Sequence, residues 1–142
     1  MGRSIHILLV EDNEGDILLI TEALQEGKIP NHISVVRNGE EAISFLDPQG
    51  KVTASRQPDL VLLDVNLPKK NGHEVLQYIK NNDAIKHIPV IMLTTSSSEN
   101  DVTIAYKNHA NCYITKPAEL EGFLNVVAQI ENFWTNIVTL PS

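Results

Sequence analysis

Apolar positions in this chain fall into short runs separated by polar and turn-forming residues. Four runs reach four consecutive apolar residues, at 7–10, 17–20, 60–63 and 90–93. Those at 7–10, 60–63 and 90–93 are bounded by polar or turn residues and do not alternate, the pattern of strands covered on both faces of a parallel sheet. Two weaker strands are expected. Residues 33–37 (ISVVR) bring β-branched side chains after the turn-like Pro30 and Asn31, and 112–115 (CYIT) precede Lys116 and Pro117, which cannot continue a central strand. Between them lie segments with helical spacing. Residues 15–27 place Ile17, Ile20 and Leu24 on one face, 39–46 place Ala42, Ile43 and Leu46, and 73–82 place Val75, Leu76 and Ile79. A poorer helix over 99–110 offers Val102, Ala105 and Tyr106, while 120–137 is long and carries two apolar stripes. Strands that alternate with helices predict an α/β fold, a doubly wound five-stranded parallel sheet with strand order 2-1-3-4-5. The irregular stretch 47–57 is the longest connection and reads as a surface loop on the side away from the strand C-termini.

Composition narrows the class. With 142 residues, 42% of them apolar and 20% charged, the chain fits one globular domain, 1–142, in which 131–142 extend the last helix into a tail. No apolar run exceeds four residues, so neither a membrane span nor a signal-peptide core is expected, and the protein is expected in the cytoplasm. Eleven Lys and Arg against 18 Asp and Glu give a formal charge of -7, the wrong sign for binding nucleic-acid phosphates. Cys112 is the single cysteine, which excludes an intrachain disulfide and a thiolate zinc cage, and the five histidines share no ligand spacing. The absence of a glycine-rich phosphate loop and of a nucleophile elbow removes P-loop nucleotide hydrolases and serine hydrolases.

In an open parallel sheet, ligands bind outside the C-terminal ends of the strands, where the strand order reverses. The residues that follow the expected strands there are Glu11 and Asp12, Asp64, Thr94 with Thr95, and Lys116. Taken singly, each is an ordinary helix cap, turn residue or solvated surface charge. Together they bring three carboxylates, hydroxyls and one ammonium to a single crevice. Carboxylates crowded in this way repel, so one must take up a proton or a cation must sit among them. A divalent cation is the simpler resolution, and hard oxygen donors suit Mg2+, completed by water and by the phosphate oxygens of a substrate. Asp64 is then a plausible carboxylate nucleophile. Once it carries a phosphoryl group, Thr94 has a hydrogen bond to give to one oxygen and Lys116 a charge to neutralise another.

The segments LLVEDN (8–13), LVLLDVNLPKKNG (60–72), PVIMLTT (89–95) and YITKP (113–117) closely resemble, in order and position, a response-regulator receiver domain. The resemblance spans residues 5 to about 130 and implies a flavodoxin-like fold and two-component signalling. It implies phosphotransfer from a histidine kinase to Asp64, with Asp12 a direct Mg2+ ligand, Glu11 helping through water, and the Asn66 carbonyl completing the protein ligands. It also implies a switch pair, Thr94 and Tyr113, although an ordinary half-buried strand tyrosine is the competing reading of Tyr113. Glu11 stands where an aspartate is more usual, one methylene longer. Proteins of this kind are phosphoacceptors rather than enzymes, apart from self-phosphorylation by small donors and autodephosphorylation.

A narrower resemblance joins the connection before residue 60, the LPKKNGHEVL segment and the tail NFWTNIVTLPS at 132–142. Together these look like the stand-alone response regulators of bacterial phytochromes, which implies a light-sensing histidine kinase as partner. Independently of that, Val126, Ile130, Phe133, Trp134 and Ile137 exceed what one core-facing stripe needs, and aromatic residues are favoured interface anchors. A homodimer through the last helix follows as an expectation, with Phe133 and Trp134 folded back onto their own domain as the alternative. Two other functions stay open. A phosphorelay intermediate would pass its phosphate to a histidine phosphotransfer protein. A haloacid-dehalogenase-like Mg2+ phosphatase would share the carboxylate cluster, but such enzymes carry a second Asp two residues after the nucleophile, where this chain has Asn66.

Overall fold

The strand ladder explains why the apolar runs do not alternate. The computed structural model describes residues 5–27, 30–47, 57–65, 67, 71–94, 112–115, 125 and 127–129. Its elements are β1 (Ile5–Val10), α1 (Glu14–Gln25), β2 (Asn31–Val36), α2 (Gly39–Leu46), β3 (Leu60–Asp64), α3 (Gly72–Lys80), β4 (Val90–Thr94) and β5 (Cys112–Thr115). The strands pair in parallel in the order β2-β1-β3-β4-β5, the expected doubly wound arrangement. Every residue of β1 and β3 is buried.

Successive residues of each central strand feed opposite sides of the sheet. Leu8, Val10, Val61, Leu63, Val90 and Met92 pack with Ala42 and Leu46 of α2 and with Val75, Leu76 and Ile79 of α3. Ile7, Leu9, Leu60, Leu62, Ile91 and Leu93 pack on the other side with Ile17, Ile20, Ala23 and Leu24 of α1 and with Val127. The backbone is helical at residues 125 and 127–129, within the long helix expected over 120–137. The expected helix over 99–110 and most of the connection 47–57 lie outside the described residues.

Element boundaries differ from the expected ones for local reasons. Helices α1, α2 and α3 start directly after an asparagine, Asn13, Asn38 or Asn71, whose side chain accepts from the backbone N–H three residues on. This moves the start of α1 to Glu14 and of α3 to Gly72, because the cap and not the first apolar residue sets the N-terminus. At Asn71 the bond is reciprocal, since Glu74 Oε1 accepts from the Asn71 N–H at 3.1 Å. Strand β2 begins at Asn31, where Ile5 of β1 supplies the pairing partner and Asn31 Nδ2 donates to Leu24 O at 2.8 Å. It stops at Val36, because the Arg37 N–H turns to Glu41 Oε1.

Two polar side chains inside the scaffold have structural partners. His6 is buried beneath Phe45 and exchanges a 2.8 Å hydrogen bond between its Nε2 and Ser34 Oγ. Lys80 Nζ donates to the carbonyls of Lys86 and Ile88, fastening the connection into β4, and its partial burial lowers its pKa below the usual lysine value.

Two leucines drawn from apolar runs, one in β3 and one in α1, give a direct check. Leu62 is fully buried, whereas Leu18, in the middle of an apolar run, is 58% exposed. Leu62→Ala is expected to cost roughly 3 kcal/mol in urea unfolding, and Leu18→Ala less than about 0.5 kcal/mol. Equal losses would contradict this packing. Asn71→Ala, which removes a helix cap without touching the core, is expected to cost about 1 kcal/mol in the same measurement.

Candidate functional site

The site is assembled where β1 and β3 end. The Glu11 N–H donates to Val36 O at 3.0 Å, which carries the β1–β2 ladder one residue past the strand and draws Glu11 into the interior. Its side chain is fully buried, and Glu11 Oε2 accepts from the Asn13 N–H at 3.2 Å. Asn13 in turn caps α1, accepting from the Asp16 N–H at 2.9 Å. The turn from β1 into α1 is therefore tied at both ends, with Asp12 exposed between them. Arg37, just past β2, forms an ion pair with Glu14 at the start of α1.

Asp64 is the last residue of β3, opposite Leu93 of β4, and is 4% exposed. The next peptide is held from two sides. The Val65 N–H donates to Leu93 O at 3.0 Å, and Val65 O accepts from the Gly72 N–H at 2.9 Å.

These supports bring together Glu11, Asp12 and Asp64, one carboxylate oxygen of each lying within 4.8 Å of the others. At such separations two unit charges repel by roughly 3 kcal/mol at an effective dielectric constant near 20. Glu11 and Asp64 are both buried, and Asp12 is exposed. Three hard, anionic oxygens that converge in this way fit a divalent cation such as Mg2+, Mn2+ or Ca2+, and no soft ligand is among them.

The other residues singled out from the sequence are placed less fully. Thr94 closes β4 at the same sheet edge, and Tyr113 pairs with Met92 in β5, both as backbone positions. Thr115 pairs with Thr94, so β5 also ends at that edge. Asn66, Lys116, Ile130, Phe133 and Trp134 lie outside the described residues. The residue that sequence reasoning passed over is Gly72, whose amide holds the peptide after Asp64; an Asn-Gly pair before a helix signals a helix start and nothing more.

A family model, the response regulator receiver domain, matches residues 7–128. The chain belongs to this family. It is 47% identical over 136 residues to the response regulator Rcp1 of Synechocystis, an alignment that covers 96% of this chain and 92% of Rcp1. It is 41% identical over 128 residues to a probable methanogenesis regulatory protein, FilR2, of Methanothrix harundinacea, covering 90% of this chain and 82% of that one. Among solved structures, the phosphorylated cyanobacterial phytochrome response regulator RcpA superimposes with a TM-score of 0.89 at 47% identity, covering 99% of this chain and 100% of RcpA. The Mn2+-bound form of Rcp1 gives a TM-score of 0.86 at 46% identity, with 97% and 99% coverage. The protein is thus a receiver-domain response regulator of two-component signalling, in a family whose members are mostly non-enzymatic signalling proteins. Among the described residues, no helix is long and apolar enough to cross a membrane.

If the three carboxylates hold a divalent cation, stability should depend on it. Adding Mg2+ or Mn2+ is expected to raise the thermal midpoint, by the equivalent of about 1.4 kcal/mol at ten times Kd. Asp64→Asn is expected to be more stable than the wild type in EDTA and to lose most of the response to the cation. Thermal melts of both proteins with and without metal test this, and a wild type indifferent to divalent cations would contradict the site.

Proposed function

We propose that this response regulator accepts a phosphoryl group on Asp64 from a histidine kinase and signals by altering a protein-binding surface. The supporting observation is the position of Asp64, a buried carboxylate at the C-terminal edge of the sheet, within 4.8 Å of Glu11 and Asp12. In this reading a carboxylate oxygen of Asp64 attacks phosphorus, the phosphorus–nitrogen bond of the phosphohistidine breaks, and the imidazole leaves with its electron pair and takes up a proton. Asp12 and Asp64 would hold Mg2+ directly and Glu11 through water, and the Asn66 carbonyl would complete the protein ligands. Bound there, Mg2+ would supply positive charge to offset that of the carboxylates and of an incoming phosphoryl group. Thr94 donates to one oxygen of that group, and Lys116 pairs with another.

The same residues set the output. A hydrogen bond from Thr94 to the phosphoryl group exists in the phosphorylated state alone, and so favours whichever packing of β4, Tyr113 and the elements after them permits it. The 142 residues act as one receiver domain in the cytoplasm, with 131–142 extending the last helix, a reading supported by similarity along nearly the whole of RcpA. Relatives described as phytochrome response regulators support a phytochrome-type kinase as the donor. Ile130, Phe133 and Trp134 form the contact of a homodimer through the last helix. Small donors such as acetyl phosphate replace the kinase, and the acyl phosphate hydrolyses by autodephosphorylation.

Intact mass after incubation with acetyl phosphate or phosphoramidate tests the acceptor. The wild type is expected to gain one phosphoryl group when Mg2+ is present, and neither Asp64→Asn nor the wild type in EDTA is expected to gain any. Modification that persists in Asp64→Asn would overturn the assignment. For the dimer, sedimentation of phosphorylated and unphosphorylated protein is expected to show self-association that Trp134→Ala weakens at least tenfold; a monomer in both states would remove that part of the reading.

A further inference from the structure

The peptide that follows Asp64 is unusually close to the start of α3. A Cβ built on Gly72 would lie 2.3 Å from Asp64 O, 2.8 Å from Val65 Cα and 3.0 Å from the carbonyl carbon of Asp64. All three are backbone atoms, which have no rotamer through which to move aside. Gly72 does not adopt a left-handed conformation, so glycine is needed here for space and not for φ. We infer that Gly72 is a positioning residue for the phosphoacceptor: its missing side chain lets the first turn of α3 lie flush against the Asp64–Val65 peptide and sets the direction of the Asp64 carboxylate.

Both sides of this contact are anchored. Helix α3 is seated in the core by Val75, Leu76 and Ile79, all fully buried, and is tied to the loop by the 2.9 Å bond from the Gly72 N–H to Val65 O. On the opposite side, the Val65 N–H holds Leu93 O of β4 at 3.0 Å. A methyl group at position 72 therefore needs a relative displacement of about 1 Å to reach ordinary contact, and part of it must fall on the Asp64 peptide. Glu11 and Asp12 have supports of their own besides the β1–β3 pairing, the Glu11 N–H to Val36 O bond and the Asn13 cap, so the displacement falls unequally on the three carboxylates. The three carboxylates would lose their relative placement while each remained present. Errors of that size in reacting groups cost on the order of 100-fold in rate.

This inference rests on Asp64 being the phosphoacceptor, and the experiment separates the two claims. The proteins are the full chain, Gly72→Ala and Asn71→Ala. The last weakens the same helix start by removing its cap but places no atom against Asp64. Phosphorylation by acetyl phosphate is followed by intact mass at saturating Mg2+, and Mn2+ affinity is measured separately by electron paramagnetic resonance, at a temperature where circular dichroism shows each variant folded. Gly72→Ala is expected to be phosphorylated about 10- to 100-fold more slowly and to bind Mn2+ several-fold more weakly, with Asn71→Ala within about twofold of wild type in both. Equal rates and affinities in Gly72→Ala and wild type would overturn the positioning role. So would equal defects in the two variants, or a Gly72→Ala chain that does not fold at all, since either would make the contact a support of the fold alone. Failure of the wild type itself to be modified would instead strike at the acceptor reading, while the Mn2+ measurement would still report on the geometry of the carboxylates.

Discussion

The register between β1 and β3 sets the height at which the charged residues leave the sheet. Val10 lies opposite Leu63, so Glu11 and Asp64 emerge side by side immediately after the last paired apolar residues. A slip of one residue would turn the side chains of a strand to the opposite face of the sheet. Both faces here are apolar and covered, so such a slip would drive a carboxylate into hydrocarbon. The same pairing that fills the two halves of the core thus confines the acidic residues to one edge.

Stability and function oppose each other at that edge. The central strands bury nearly every side chain they carry, while the residues immediately beyond them hold two buried carboxylates and one exposed carboxylate in mutual repulsion. The core and the local caps tolerate that repulsion, and a divalent cation bound among the three carboxylates would relieve it. Asn13 serves both demands, because its side chain starts α1 while its amide holds Glu11 Oε2. The Arg37–Glu14 ion pair, largely exposed, adds little energy but ties the end of β2 to the same helix start.

Asp64 is not an isolated side chain on a strand end. The peptide after it is hydrogen-bonded to β4 through Leu93 and to α3 through Gly72, so a change in its placement acts on two elements at once. One of them, β4, ends in Thr94, and pairs along its length with β5 and Tyr113. Local contacts therefore connect the site to the part of the sheet from which a phosphorylation-dependent output would come.

Much of this was legible in the amino-acid sequence because a parallel sheet covered on both faces leaves a strong signal. Three dense apolar runs mark β1, β3 and β4, helical spacing marks α1, α2 and α3, and the strand-end rule selects Glu11, Asp12 and Asp64 before any motif is considered. Edge strand β2 was less legible, since its first pairing residue is the polar Asn31, chosen by Ile5 across the ladder and not by its own propensity. In the uniformly apolar run 17–20, helical spacing did pick out the inner face, since Ile17 and Ile20 are buried with Leu24 and Leu18 is left in water. What tertiary structure alone decided is distance. Composition and order determine that carboxylates stand at strand ends, but only packing puts their oxygens within 4.8 Å and brings the backbone of Gly72 against that of Asp64. Contacts between residues distant along the chain depend on how whole elements seat against one another, and a glycine chosen for the space it leaves open carries no pattern of its own.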